Sequence, residues 1–144
     1  MIDTIEATRE ALQDYTVAAS GLDVAYQGLA NQKGTLAYIR LDLKAAEAEV
    51  VVNGGYEEWA ITGANKEARD AATTVALAHC PPYQKAIIRT NDLERSIALL
   101  EADIERFTAE MRRCRLQIEF ATSWNYRVAA AEGRAPEFKR STLK

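Results

Sequence analysis

The stretch LERSIALLEADIERFTAEMRRCRLQIEFA, residues 93–121, decides the fold. Apolar residues recur alternately four and three places apart: Leu93, Ile97, Leu100, Ile104, Phe107, Met111, Cys114, Ile118 and Ala121, then Val128 beyond the polar Asn125. A half-buried strand would alternate every second residue. This rhythm instead keeps one side of an α-helix apolar over several heptads. Ile97, Ile104, Met111 and Ile118 share one seam position, and Leu93, Leu100, Phe107 and Cys114 share the other. No proline or glycine lies between Tyr83 and Ala131, so the spacing predicts an arm helix over about 83–131. At 1.5 Å per residue it would reach about 70 Å.

Towards the N-terminus a second arm, about 3–51, shows the same rhythm in Ile5, Thr8, Leu12, Tyr15, Ala19, Leu22, Tyr26, Leu29, Lys33 and Leu36. Beyond Leu36 the better fit is Ile39, Leu43, Ala46 and Val50, a slip of one residue that would change the local winding of a coiled coil. Gly21 and Gly28, one heptad apart on a flank of this seam, and Gly34 each cost about 1 kcal/mol in a helix interior relative to alanine. The helix either tolerates the two flanking glycines or uses them to let another backbone approach.

Between the arms lies VVVNGGYEEWAITGANKEARDAATTVALAHCPPY, residues 50–83. Asn53-Gly54-Gly55 supplies positions that accept positive φ and ends the first arm. Thr62 or Asn65 can cap a short helix over roughly 65–79, with Glu67 in its first turn. Pro81-Pro82 is expected to stop that helix before the last arm begins. The expected organisation is thus one helical domain over 1–144: an arm, an elbow loop and short helix over about 53–79, a second arm, and a basic tail over 132–144. Tyr56, Trp59 and Ile61 are read as a plug over the elbow rather than a ligand cage.

The chain carries 18 basic and 21 acidic residues, so its overall balance selects no partner. The distribution is uneven, with 8 basic against 3 acidic residues after residue 111. Two cysteines, Cys80 and Cys114, without Cys-x-x-Cys spacing make neither a disulfide scaffold nor a zinc site. The acidic N-terminus does not read as a signal peptide, and no apolar run is long enough to span a bilayer, so the expected location is the cytoplasm and no membrane partner is expected. The single histidine, His79, lacks further metal ligands at suitable spacing. There is no phosphate loop, nucleophile elbow or paired metal-ligand motif, and adjacent Glu57-Glu58 reads as solvated; the chain is expected to be non-enzymatic, without cofactor or metal.

Binding chemistry concentrates near the end. Arg106, Arg113, Phe120, Arg127 and Arg134 are spaced by seven, with Arg112, Arg115, Trp124 and Tyr126 around them and Lys139, Arg140 and Lys144 in the tail. Guanidinium groups interleaved with aromatic rings suit nucleic acid, a phosphorylated small molecule or an acidic protein surface. The competing structural reading pairs these arginines with Asp3, Glu6, Glu10 and Asp14 across antiparallel arms, fixing their register.

Two helices cannot bury Leu99, Leu100, Phe107, Leu116, Phe120 and Trp124, which point in too many directions. The reading is an all-α antiparallel helical hairpin assembled into an oligomeric bundle, with Leu93, Ile97, Leu100, Ile104, Phe107, Met111 and Ile118 as the oligomer seam.

The segment TGANKEARDAA, residues 62–72, ahead of a long helix ending RLQIEFATSWNYRVAA, residues 115–130, resembles small uncharacterised helical proteins of tailed bacteriophages. The shared pattern is Gly63, Asn65 and Arg69 before the helix, and Trp124 and Arg127 near its end, with Ala64 where those proteins usually have lysine. The likeness covers roughly the second half of the chain. It implies an accessory or host-takeover (anti-defence) role in a host cytoplasm, exerted by binding a host or phage protein. Nucleic-acid binding and sequestration of a signalling nucleotide are the alternatives.

Overall fold

A computed structural model describes residues 4–133. The chain forms three helices, α1 (Thr4–Val52), α2 (Lys66–Ala78) and α3 (Pro81–Ala131), and no named strand among the described residues. It divides into two compact units, and both long helices contribute to each. One unit holds residues 1–25 with 103–144, and the other holds residues 26–102.

In the second unit α1 ends in a Schellman arrangement. Gly55 N–H donates to the Val50 carbonyl and Gly54 N–H to that of Val51, at 3.0 and 3.1 Å. Both glycines take positive φ, 69° and 84°, which is why Asn-Gly-Gly stands here. The loop then closes through an isolated antiparallel bridge between Gly55 and Ala60. Asn65 is the cap of α2: its backbone is extended and its side-chain oxygen accepts from Ala68 N–H at 2.8 Å. Gly63 is tied to that cap, because a Cβ there would stand 2.7 Å from the Ala68 Cβ and 2.9 Å from the Arg69 nitrogen. α2 ends at Ala78, ahead of the two prolines as expected, but the prolines do not lie between the helices. They form the first positions of α3, where a missing N–H leaves no bond unmade. The Cys80 carbonyl accepts from Gln84 N–H, and the Gln84 amide reaches back to the Leu77 carbonyl at 3.1 Å, joining α2 to α3.

Val50, Ala76, Leu77 and Cys80 form the buried cluster of this unit, with Ile61 and Tyr83 packed on it. Trp59 stacks on the His79 ring at 3.9 Å, and His79 Nδ1 bonds the Val75 carbonyl at 2.9 Å. Cys80 hydrogen-bonds the Tyr56 phenol and, with burial, pushes the Tyr56 pKa up from 10.0. The aromatics thus sit over the elbow. Farther from the elbow, Arg40–Glu94 (3.3 Å) and Lys33–Glu101 (3.7 Å) link α1 and α3, and their descending partner numbers show the antiparallel register.

The seam of α3 follows the sequence rhythm. In the second unit Ile97 is buried and Leu93 and Leu100 are half-buried; in the first, Cys114 and Ala121 are buried and Ile104, Phe107, Met111 and Ile118 are half-buried. All of this burial is achieved inside one chain.

On α1 the phase differs from expectation. The covered stripe runs through Thr8, Ala11, Tyr15, Ala18, Leu22, Ala25, Leu29, Gln32, Leu36, Ile39, Leu43, Ala46 and Val50, spaced three and four apart without any slip, with Ala19, Gly21 and Gly28 half-covered at its edges. Ile5, Leu12 and Tyr26, assigned to the seam from sequence, lie exposed. Small side chains let the facing helix come close, so Ala11 and Ala25 are buried while the adjacent Leu12 and Tyr26 are exposed, and Ala18 is buried beside the exposed Val17. Gly21 has the same use: a Cβ there would stand 2.6 Å from Phe107 Cζ, so the glycine seats that ring. Gly28 meets Leu100 at 3.6 Å, an ordinary contact. Gln32 Oε1 is buried in the second unit without a hydrogen-bond partner.

Candidate functional site

The seven-residue spacing of Arg106, Arg113, Phe120 and Arg127 places them along one strip of α3, yet they do different things. Arg106 donates to Asp103 at 3.2 Å, and its guanidinium lies 4.8 Å from the Phe107 ring centre. Arg113 donates to both oxygens of Glu110 and lies 3.7 Å from Asp14 on α1. The hydrogen bonds between Arg113 and Glu110 hold the carboxyl below its ordinary 4.5 and raise the guanidinium pKa further. For Arg113 the cross-arm pairing anticipated in the sequence is therefore present. Ligand atoms of Asp14, Glu110 and Cys114 come within 4.8 Å of one another, as a metal would require. Arg113 already engages both carboxylates, which makes the cluster an ion-pair network.

Beyond Arg113 the strip becomes apolar. Leu116, Phe120 and Trp124 are 59%, 71% and 51% exposed, and the Phe120 and Trp124 rings stack with centres 6.5 Å apart. With Ala7 and Ala11 of α1 they line a groove of about 720 Å³, edged by Glu10, Asp14, Arg113 and Gln117. Arg127 borders the same aromatics in an adjoining hollow with Glu119 and Ser123. Sequence reasoning found Phe120, Trp124 and Arg127 but assigned no site role to Ala7, Ala11 or Leu116. The signal available was the pair of alanines one turn apart on α1, a floor low enough to leave a groove.

The opposite flank of this unit carries the remaining arginines. Arg112 and Arg115 edge a shallow pocket with Tyr15, Leu22, Thr108 and Met111, and have no acidic partner among the described residues. Leu12, three residues before Tyr15 on α1, is exposed. Tyr126 is exposed on α3. Arg134, Lys139, Arg140, Lys144 and Asp3 lie outside the described residues. The structure thus divides the arginine-aromatic cluster into an apolar groove on one flank and a basic-edged pocket on the other.

No protein-family model matches the chain, and no curated protein or solved structure matches it. Among the described residues no helix is long and apolar enough to cross a membrane.

Proposed function

We propose that this chain is a non-enzymatic accessory or host-takeover (anti-defence) protein of phage type that acts by binding a protein partner through an oligomeric helical surface. The observation that carries the reading is apolar exposure on both flanks of the α1–α3 pair in the first unit. Leu116, Phe120 and Trp124 stand open on one flank, and Leu12 of α1 is exposed on the other. Monomeric soluble proteins rarely leave contiguous apolar surface of this kind uncovered. Two such flanks accommodate self-association and a partner at once. The phage resemblance of the second half supplies the setting.

A second reading, nucleic acid or a phosphorylated small molecule such as a signalling nucleotide, is favoured by Arg112 and Arg115 lacking acidic partners among the described residues. The test uses the full chain as bait in phage-infected host cells, with nuclease treatment, followed by titration of the purified partner. One stoichiometric protein is expected, resistant to nuclease and bound about tenfold more weakly by Leu12→Ser. Nuclease-sensitive retention abolished by Arg112→Gln with Arg115→Gln would replace the protein-binding reading with the nucleic-acid one.

A further inference from the structure

In the second unit α1 carries two stripes. The covered one is Leu29, Gln32, Leu36, Ile39, Leu43, Ala46 and Val50. Two residues beyond each of these, and so about 200° around the helix, stand Asn31, Gly34, Tyr38, Leu41, Ala45, Ala48 and Val52. This outer stripe repeats the alternation of three and four over three heptads. All seven residues are exposed, Tyr38, Leu41 and Val52 by 75%, 62% and 83%. The charged residues of the same stretch, Lys33, Arg40, Asp42, Lys44, Glu47 and Glu49, all fall outside it. A helix whose outer face met only water would carry its charges there.

The edges of the stripe indicate what fits it. Lys33 and Arg40 lie towards α3 and pair with Glu101 and Glu94. Glu47 lies on the α2 side, in a hollow with Asp70 and Thr73. That leaves Asp42 and Glu49 along one edge of the stripe and Lys44 along the other, none in an ion pair among the described residues. In a parallel, in-register helix pair, a residue on one edge lies across from the residue five places further on in the other copy. Lys44 then meets Glu49 of the second copy, twice by symmetry, and Asp42 meets Ala37. An antiparallel pair would set like edges together, acids against acids and Lys44 against Lys44. Asn31 stands at the seam position where a single asparagine fixes the register of a two-stranded coil.

We infer that this outer face of α1 binds the same face of a second copy, forming a parallel two-stranded seam from Asn31 to Val52 with Lys44–Glu49 pairs along both edges. The inference rests on the oligomeric part of the reading above and gives it a face. Both flanks of the first unit stay available to the protein partner.

The test combines sedimentation with disulfide trapping in the full chain. Cys80 and Cys114 are buried, so the wild-type chain is the unlinked control. At tens of micromolar the wild-type chain is expected to sediment at about twice its mass. Leu41→Glu should raise the dissociation constant about 30-fold or more with helicity unchanged. Lys44→Glu should raise it about tenfold, and adding Glu49→Lys should bring it back to within about threefold of wild type. Gly34→Cys and Ala48→Cys should each cross-link to itself, because in-register copies place the same residue on both sides of the seam. Linking only when the two variants are mixed would overturn the parallel register. A dimer that Leu41→Glu leaves intact, or that Glu49→Lys fails to restore in Lys44→Glu, would overturn the face while leaving the oligomeric reading standing. A 16.0 kDa monomer at all concentrations would overturn both.

Discussion

The two units of this chain share two helices and a heptad rhythm, yet they cover their apolar residues differently. The unit around the elbow has a third element: α2 and its capped loop close over Val50, Ala76, Leu77 and Cys80, and Trp59 and Tyr83 add to the cover. Among the described residues the other unit has no third element. Its interior sets an alanine stripe against α3 with Tyr15 and Phe107 half-buried, while Phe120 and Trp124 remain outside. A pair of helices buries one stripe of each partner and no more. The comparison teaches that the same pattern yields a closed core where a short helix is added, and exposed apolar side chains where it is not.

The largest effect that can sharpen this contrast is in the elbow cluster. Leu77→Ala should cost about 2–5 kcal/mol in chemical denaturation, because a buried leucine leaves a cavity. Leu116→Ala should lie within about 0.5 kcal/mol when measured on dissociated protein. Similar losses from both would break the distinction between the units. Next, Trp59→Ala should lower stability by about 1–2 kcal/mol, since the ring stacks on His79 but is partly exposed. Thermal melting reads this, and binding per folded molecule should survive.

The glycines compare the units at smaller scale. Gly28→Ala and Gly34→Ala should each stabilise by up to about 1 kcal/mol, since neither new methyl group meets an obstruction. Gly21→Ala gains the same helix propensity but drives its methyl into Phe107, so it should fall below both and turn destabilising if the ring cannot shift. Equal gains at all three positions would mean that Phe107 is not seated on Gly21.

The smallest effects belong to the exposed ion pairs. Asp14→Asn should cost about 1 kcal/mol or less and fade with added salt. Glu110, held below its ordinary 4.5 by Arg113, contributes stability that is present above the unfolded value and lost as pH falls through the lowered folded value. A carboxyl titration by NMR should place its midpoint below 4.5, and Arg113→Gln should return it upward. An unmoved midpoint would remove the pairing.

Much of this architecture was legible in the residues. The α3 seam, the Asn-Gly-Gly stop, the Asn65 cap and the elbow role of Trp59 each rest on local rules that tertiary context did not override. The phase of α1 was not legible, because Ile5, Leu12 and Tyr26 fit the same spacing as Ala11, Ala18 and Ala25, and bulk misleads where close approach decides burial. The Pro-Pro pair marked the end of α2, but its place in the first turn of α3 was not legible, because a helix start and a helix stop both accept proline. In the binding region the cluster of aromatics and arginines was visible. Its division into two flanks was not, since that depends on which acid each arginine meets across the hairpin.

The most direct test of the contrast is amide hydrogen exchange followed along α1 and α3 on dissociated protein. The account predicts slower exchange over residues 36–50 and 76–97, where the elbow closes the core, than over residues 8–25 and 107–124. Equal protection in both sets, or slower exchange in the second, would contradict it.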